Sequence, residues 1–325
     1  MAREETKRIT SIGGQALIEG IMMRGPKRTE ISVRMSDGTI SSETLDTKGL
    51  REKYKFWRLP LLRGIAGFID SLTVGYKALS ISADKAGLDD DEGEPSKFDL
   101  WVERVFGDKL MGVLMAISSV LGVLLAIGLF FFLPTWIFNL VRDYLAGPGI
   151  EGWRSLVEGV MRIGIFVLYI ALVAQMPDIK RVFQYHGAEH KTIFCYENEE
   201  ELTVENVRHH SRFHPRCGTS FMIIMLLLGV LIGFFIPFTN PFLRTVVKLL
   251  CIPLVVGIGF ELIRVCGKYD NTLTRIIAAP GLWMQRLTVK EPDDSMIEVA
   301  IEAMKAVIPE DGADLKCPVT GKKPA

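Results

Sequence analysis

Four long apolar runs constrain this chain more than anything else in it. They cover roughly residues 110 to 138, 156 to 176, 219 to 238 and 246 to 266, and about 20 helical residues suffice to cross ~30 Å of hydrocarbon. The first, MGVLMAISSVLGVLLAIGLFFFLPTWIF, carries no charge and ends near Trp136, an aromatic suited to the headgroup region. The third, FMIIMLLLGVLIGFFIPF, is equally plain. The second holds Glu158 and Arg162 four residues apart, and the fourth holds Lys248 and Glu261, so both should face protein or an interface rather than lipid. Pro253 should kink the fourth. Soluble proteins seldom combine four such runs, so the expected fold is mainly α: a helical membrane bundle of about four transmembrane helices with a small N-terminal β-hairpin and interfacial amphipathic helices.

The basic residues orient the bundle. Eighteen Lys and Arg precede the first span, six lie between the second and third, and nine follow from Arg264, whereas the two remaining loops hold only Arg142, Arg154 and Arg244. Thirty-three against three is a strong positive-inside bias, which places both termini and the loop 177–218 in the cytoplasm. MAREETKRITSIGGQ lacks the apolar core of a signal peptide. Formal net charge is zero, so no whole-chain argument favours nucleic acid as a partner. The five cysteines form no CxxC and no disulfide framework, and reduced thiols are expected. The lipid bilayer is the implied partner; oligomeric state is unspecified.

Around the bundle the chain reads as smaller pieces. Residues 1–55 form a cytoplasmic β-containing segment, in which TEISVRM alternates, Asp37 and Gly38 turn, and ISSETL returns. Ahead of that hairpin, GGQALIEGIMMRGP reads as a tight turn and a short packed segment, with Glu19 and Arg24 as alternative substrate or metal contacts. Residues 56–83 are apolar but interrupted by Arg63, Asp70 and Lys77, which suits an interfacial or re-entrant helix. An acidic linker follows at 84–99, then the four-span bundle over 100–290 with the loop 177–218 inside it. TLTRIIAAPGLWMQRLTV should run along the membrane surface, 291–310 should hold an amphipathic helix, and 311–325 should be a disordered tail containing Cys317.

Chemistry concentrates between Pro177 and Cys217. After Pro177, Ile179, Val182, Phe183, His186, His190, Ile193 and Phe194 recur at helical intervals, so two histidines sit inside an apolar stripe. Four residues apart, His186 and His190 project from one face, one turn apart, the spacing that lets two imidazoles reach one ion. With Glu189 they spell HGAEH, an instance of HxxEH, the inverted zincin pattern in which the Glu acts on a metal-activated water. Downstream, RFHPRCGTSF supplies His214 and Cys217, the latter at the start of a helix where thiolate is favoured. His186, His190, His214 and Cys217 suit zinc or another divalent transition metal. Alternatives are a thiol or proton-transfer site around Cys217 and His214, or plain packing. Glu261 is a candidate remote carboxylate ligand, or else an ion-pair partner of Arg264. His209 and His210 read as solvated, and ENEEE at 197–201 as an exposed acidic loop.

Taken together, GGQALIEGIMMRGP, YHGAEHKTIFCYE, LTVENVR, SRFHPRCGTSF and PGLWMQRLTVKEPDD resemble the YqhQ family of bacterial membrane proteins, from about Gly13 to Met304. That group carries the label "predicted metal-dependent enzyme". The resemblance implies a multi-pass inner-membrane protein and carries over the HGAEH and HPRC residues as its metal-binding set; it implies no reaction. Inverted zincins are large soluble peptidases, whereas this motif lies between membrane spans, so peptidase activity is not carried over. The leading expectation is a metal-dependent hydrolase at the cytoplasmic interface, acting on an amphiphilic or membrane-tethered substrate with Glu189 as the catalytic base. The alternatives are a scaffold with a structural metal, and a small-solute transporter whose path Glu158, Arg162 and Glu261 would line.

Overall fold

Strand alternation and tight turns build the N-terminal sheet. The computed structural model describes residues 7–47, 49–87, 110–268 and 272–316. After a short strand β1 (Ile9–Thr10), four strands pair antiparallel in the order β2 (Gly13–Leu17), β3 (Gly20–Arg24), β4 (Thr29–Arg34), β5 (Ile40–Leu45). The expected hairpin is β4 and β5, with Ser32 opposite Ser42 and Gly38 at φ +83° in the turn. The segment read as a turn and a packed stretch is instead a second hairpin, with Gly14 opposite Met23 and Glu19 left-handed at φ 49°. Its strands hide from alternation because the sheet is covered on both faces. Ile21 and Met23 enter one core with Tyr185, Met296 and Met304; Leu17, Met22, Ile31 and Val33 enter another with Ala78.

Helix α1 (Leu62–Lys85) covers the second of these faces, where the interfacial or re-entrant helix was expected. The remainder of the acidic linker, from residue 88, lies outside the described residues. The first apolar run forms α2 (Leu110–Ile127), a π-helical stretch over Gly128–Phe132 and α3 (Leu133–Val141). The next forms α4 (Arg154–Val173). Helix α5 (Pro177–Glu197) and the short α6 (Val204–His209) make up the loop that carries the histidines. Helices α7 (Gly218–Gly233), α8 (Pro241–Leu250) and α9 (Ile252–Lys268) supply the last apolar stretches. Then come α10 (Thr272–Thr288) and the amphipathic α11 (Asp294–Val307), whose N-cap Asp293 accepts from the Met296 amide.

The molecule is thus mainly helical with a small antiparallel sheet. Two helices, Ile117–Ala146 and Pro148–Val173, are long and apolar enough to cross a membrane, and α8 with α9 makes a third if the bent pair counts as one span. The break, a 46° bend, falls just before Pro253, where proline removes a helical N–H donor. Helix α7 offers only the short apolar stretch Phe221–Gly233, because its run continues into non-helical residues before Pro237 and Pro241.

Internal contacts divide the chain into two units, one of residues 1–88, 170–225 and 256–325, the other of residues 89–169 and 226–255. The loop 177–218, expected within the bundle, belongs to the first unit with the sheet and α11. That unit also corrects the expected disordered tail. Strand β6 (Leu315–Lys316) pairs with β1, and buried Asp314 accepts hydrogen bonds from Thr10 Oγ1 at 2.6 Å and Tyr196 OH at 3.0 Å. The rest of that tail, with Cys317, lies outside the described residues.

Candidate metal centre

Helix α5 sets His186 and His190 one above the other, with ring centroids 4.4 Å apart. The backbone then fixes which ring nitrogen each presents. Nδ1 of His186 lies 3.0 Å from the Thr288 carbonyl, and Nδ1 of His190 lies 2.6 Å from the Arg212 carbonyl. A carbonyl only accepts, so both Nδ1 atoms carry hydrogen and both Nε2 atoms are left for a third partner. That partner is Cys217, whose Sγ is 3.1 Å from His186 Nε2. Donor atoms of His186, His190 and Cys217 all fall within 4.8 Å of one another. Zinc holds nitrogen and sulfur ligands at ~2.0–2.3 Å, so a trio this close can share one ion, with a fourth position open.

Three features of the sequence place these groups. Gly187 lets residues 288–290 lie against α5: a Cβ there would stand 2.0 Å from the Lys290 carbonyl oxygen, and the Lys290 amide donates to Phe183 O at 2.8 Å. That seam carries the Thr288 carbonyl to His186. Cys217 sits in the turn after His214-Pro215-Arg216, directly before α7, and its sulfur accepts from Thr219 N at 3.5 Å and Thr219 Oγ1 at 3.3 Å. Burial opposes charge on the thiol, but the His190 and His186 imidazoles hold it well below the ordinary thiol range. Burial likewise opposes charge on His186, yet the Cys217 thiolate holds that imidazole up to about 9. The trio is therefore a thiolate and imidazolium pair, and a soft donor set of the kind that suits zinc.

Glu189 lies beside the trio rather than in it. Its carboxylate accepts from the Gly14 amide at 3.0 Å, and burial pushes its proton affinity above the usual carboxylate range despite the neighbouring imidazoles. The approach needs glycine at position 14, where a Cβ would be 2.7 Å from Met22 O and 3.0 Å from Glu189 Cδ.

Two expected ligands are engaged by other groups, although the His214 ring lies 5.5 Å from that of His190. His214 is buried, but Gln285 clamps its backbone, accepting from its amide at 2.9 Å and donating to its carbonyl at 2.7 Å. Its Nδ1 accepts from the Arg216 amide at 3.4 Å, and its Nε2 faces Glu197 at 3.8 Å. Burial drives its pKa down to about 4, so it is a neutral packing group against Phe194, with ring centroids 4.6 Å apart. Glu261 forms a two-pronged pair with Arg63 of α1, at 2.6 and 2.5 Å, with Arg264 as a weaker electrostatic neighbour. Glu19 is spent in the same way on Arg181, at 2.5 Å to each oxygen.

His210, read as solvated, is buried, and its Nε2 is 3.2 Å from a Glu200 carboxylate oxygen with Cys195 close by. Burial lifts the Cys195 thiol to about 12, so it stands as a neutral donor toward Glu201 O at 3.5 Å, which suits a packed turn better than a second metal centre. The Thr288 and Arg212 carbonyls that organise the trio, and the Gly14 amide that holds Glu189, left no mark in the sequence except the glycines, which the HGAEH and GGQ motifs contain.

No solved structure matches this chain. It is 35% identical over 297 residues to the "Uncharacterized protein YqhQ" of Bacillus subtilis (strain 168), covering 91% of this chain and 92% of that protein. A family model described as "Protein of unknown function (DUF1385)" matches residues 59–310, which take in α1, the histidine helix, Cys217 and α11. The chain therefore belongs to the DUF1385 family, and is YqhQ-like along nearly its whole length.

Proposed function

We propose that this protein is a membrane-bound, metal-dependent hydrolase whose site lies at the cytoplasmic face of a bacterial inner membrane. The observation that carries the reading is the commitment of both Nδ1 atoms to carbonyls, which leaves His186 Nε2, His190 Nε2 and Cys217 Sγ as three adjacent ligands. Zinc or a similar divalent ion, when bound, supplies Lewis acidity and lowers the pKa of a water from 15.7 toward roughly 7. The chain's own groups do the rest. Thr288 and Arg212 hold the imidazoles in place, Thr219 steadies the thiolate, and Glu189, with its raised proton affinity, takes and returns a proton.

Topology and substrate follow from the same frame. We read α2 with α3, α4, α7, and α8 with α9 as four crossings, with the basic segments and both termini on the cytoplasmic side. Cys217 directly precedes the apolar α7, so the site adjoins the membrane surface and favours an amphiphilic or membrane-tethered substrate. Transport finds less support: Glu158 and Glu261, two of the residues it would need, are each committed to cations of their own.

Elemental analysis of the purified, detergent-solubilised chain tests the metal. About one divalent ion per chain is expected, and it should be lost in His186→Ala, His190→Ala and Cys217→Ser while helical circular dichroism is retained. Metal content unchanged in all three variants would end the proposal. Loss of folding in step with metal would move the reading to a scaffold with a structural ion.

A further inference from the structure

Strand β2 is an edge of the four-stranded sheet: β3 pairs with one of its sides, and among the described residues no strand pairs with the other. The hairpin decides which backbone groups lie on that open side. Its two-residue turn, Ile18-Glu19, makes Leu17 and Gly20 a hydrogen-bonded pair, and pairs alternate from there along the ladder. Gln15 and Gly13 therefore bond to β3, whereas the N–H and C=O groups of Ala16 and Gly14 point away from it. The Gly14 amide bears out this phase, since it donates outward to Glu189 Oε1 at 3.0 Å. Among the described residues the Gly14 carbonyl, the Ala16 amide and the Ala16 carbonyl take part in no hydrogen bond.

Proteins usually guard such an edge with charge, proline or a bulge. GGQAL has neither charge nor proline; Gly14 is exposed and Ala16 is half-buried. The same edge adjoins the candidate metal centre. Glu189 occupies the place where a paired strand would offer Gly14 a carbonyl, and it neighbours the ligand His190 in α5.

We propose that this edge seats an extended polypeptide segment as an added strand, which makes the substrate of the hydrolase reading, on which this inference rests, a peptide amide. The strand edge, not the HxxEH pattern, points to it. The three free groups present acceptor, donor and acceptor over two residues, roughly 7 Å of strand. An extended polypeptide answers all three with its own backbone. A fatty-acyl ester or a phosphodiester has no N–H to offer the two carbonyls. Pairing beside Glu189 brings one peptide bond of the added strand toward the trio. There water gives its hydroxyl to the acyl carbon, the C–N bond breaks, and Glu189 carries the water's other proton to the leaving nitrogen.

Ala16→Pro isolates the edge. It removes the outward N–H and nothing that the hairpin uses, and edge strands accept proline where the donor faces away from the sheet. Full-length protein in detergent, stripped with EDTA, should bind fluorescein-labelled casein, an unfolded polypeptide, saturably by anisotropy. Ala16→Pro should weaken that binding about tenfold with circular dichroism unaltered. If the variant unfolds, isotope-edited infrared on uniformly 13C-labelled wild type decides: bound, unlabelled casein should gain a β-sheet amide band. With zinc restored, wild type should cut the casein and release no fatty acid from phosphatidylglycerol vesicles. Casein seated through Ala16 on a chain that takes up no metal would support the strand site and end the hydrolase reading alone. Wild type that binds no casein, as when a second copy takes the edge, equal binding in a folded Ala16→Pro, bound casein without a β-sheet band, or fatty-acid release without proteolysis would each overturn the inference.

Discussion

A ring nitrogen that already donates to a carbonyl cannot also hold a metal, and this simple exclusion decides the residue-scale chemistry. Since Nδ1 is occupied on both His186 and His190, an ion would be met through Nε2, and there the Cys217 thiolate holds the His186 imidazole up to about 9. A cation must displace the proton on that imidazole. Affinity should therefore rise with pH between 7 and 9, by up to about tenfold per pH unit, and level off above. Competition titrations with cobalt at pH 7, 8 and 9 check this, and a flat profile would exclude His186 as a ligand. Glu189→Gln keeps an acceptor for the Gly14 amide but loses the proton carrier. Bound metal should stay while turnover of an amphiphilic ester or peptide falls about 10²–10⁴-fold, the range typical of a general base; undiminished turnover would remove Glu189 from the reaction. This much of the site was legible because two histidines one turn apart must share a face whatever else the fold does. His214 and Glu261 were not legible, because Gln285, Glu197 and Arg63, which claim them, come from distant stretches that no local spacing reveals.

Elements meet at the site through one tight seam. The segment after α10 presses on α5 at Gly187, and the same contact delivers the carbonyl that orients His186. Gly187→Ala should force that segment away, costing about 1–3 kcal/mol by overpacking and about 10–100-fold in metal affinity through the lost carbonyl. Unfolding midpoints and metal titration on one preparation separate the two effects; intact affinity would show that the Thr288 carbonyl is dispensable. Periodicity revealed α11 because it has one buried face and one wetter one, and revealed α5 through its half-exposed first turns, although every residue from Gly187 to Glu197 is buried. It missed the β2 and β3 hairpin, where burial on both sides erases the alternation that announces a strand, and where glycines needed for close approach read as a turn. The kink before Pro253 was legible from the ring's missing donor; the short α7 was not, since apolar composition continues past its last helical turn.

At the scale of the whole molecule, stretches that look like separate soluble appendages close on one another. Thr10 from the start of the chain, Glu197 and Arg216 from the histidine loop, and Asp314 near the end form a joined polar core, in which Glu197 accepts from the Thr10 amide at 2.8 Å and pairs with Arg216. Hydropathy separates such pieces from the spans but says nothing of their mutual pairing, which depends on contacts between residues more than a hundred positions apart. Glu197 is 1% exposed, and although burial opposes its charge, His214 and Arg216 hold its pKa below the ordinary carboxylate value. A carboxyl with a depressed folded-state pKa stabilises fully above its unfolded value of 4.5 and loses that contribution as pH falls through the folded value. Glu197→Gln leaves Arg216 without its partner, and because that arginine keeps some contact with water the cost should lie near the lower end of the range for a broken buried pair, about 3 kcal/mol at neutral pH. The same variant should lose part of the acid sensitivity below pH 4.5, so the stability gap from wild type should narrow as pH falls. Thermal unfolding monitored by circular dichroism at pH 7 and pH 4 measures both terms. A gap that is absent at pH 7, or equal at the two pH values, would show that the chain's two ends are held together by strand pairing and apolar packing alone.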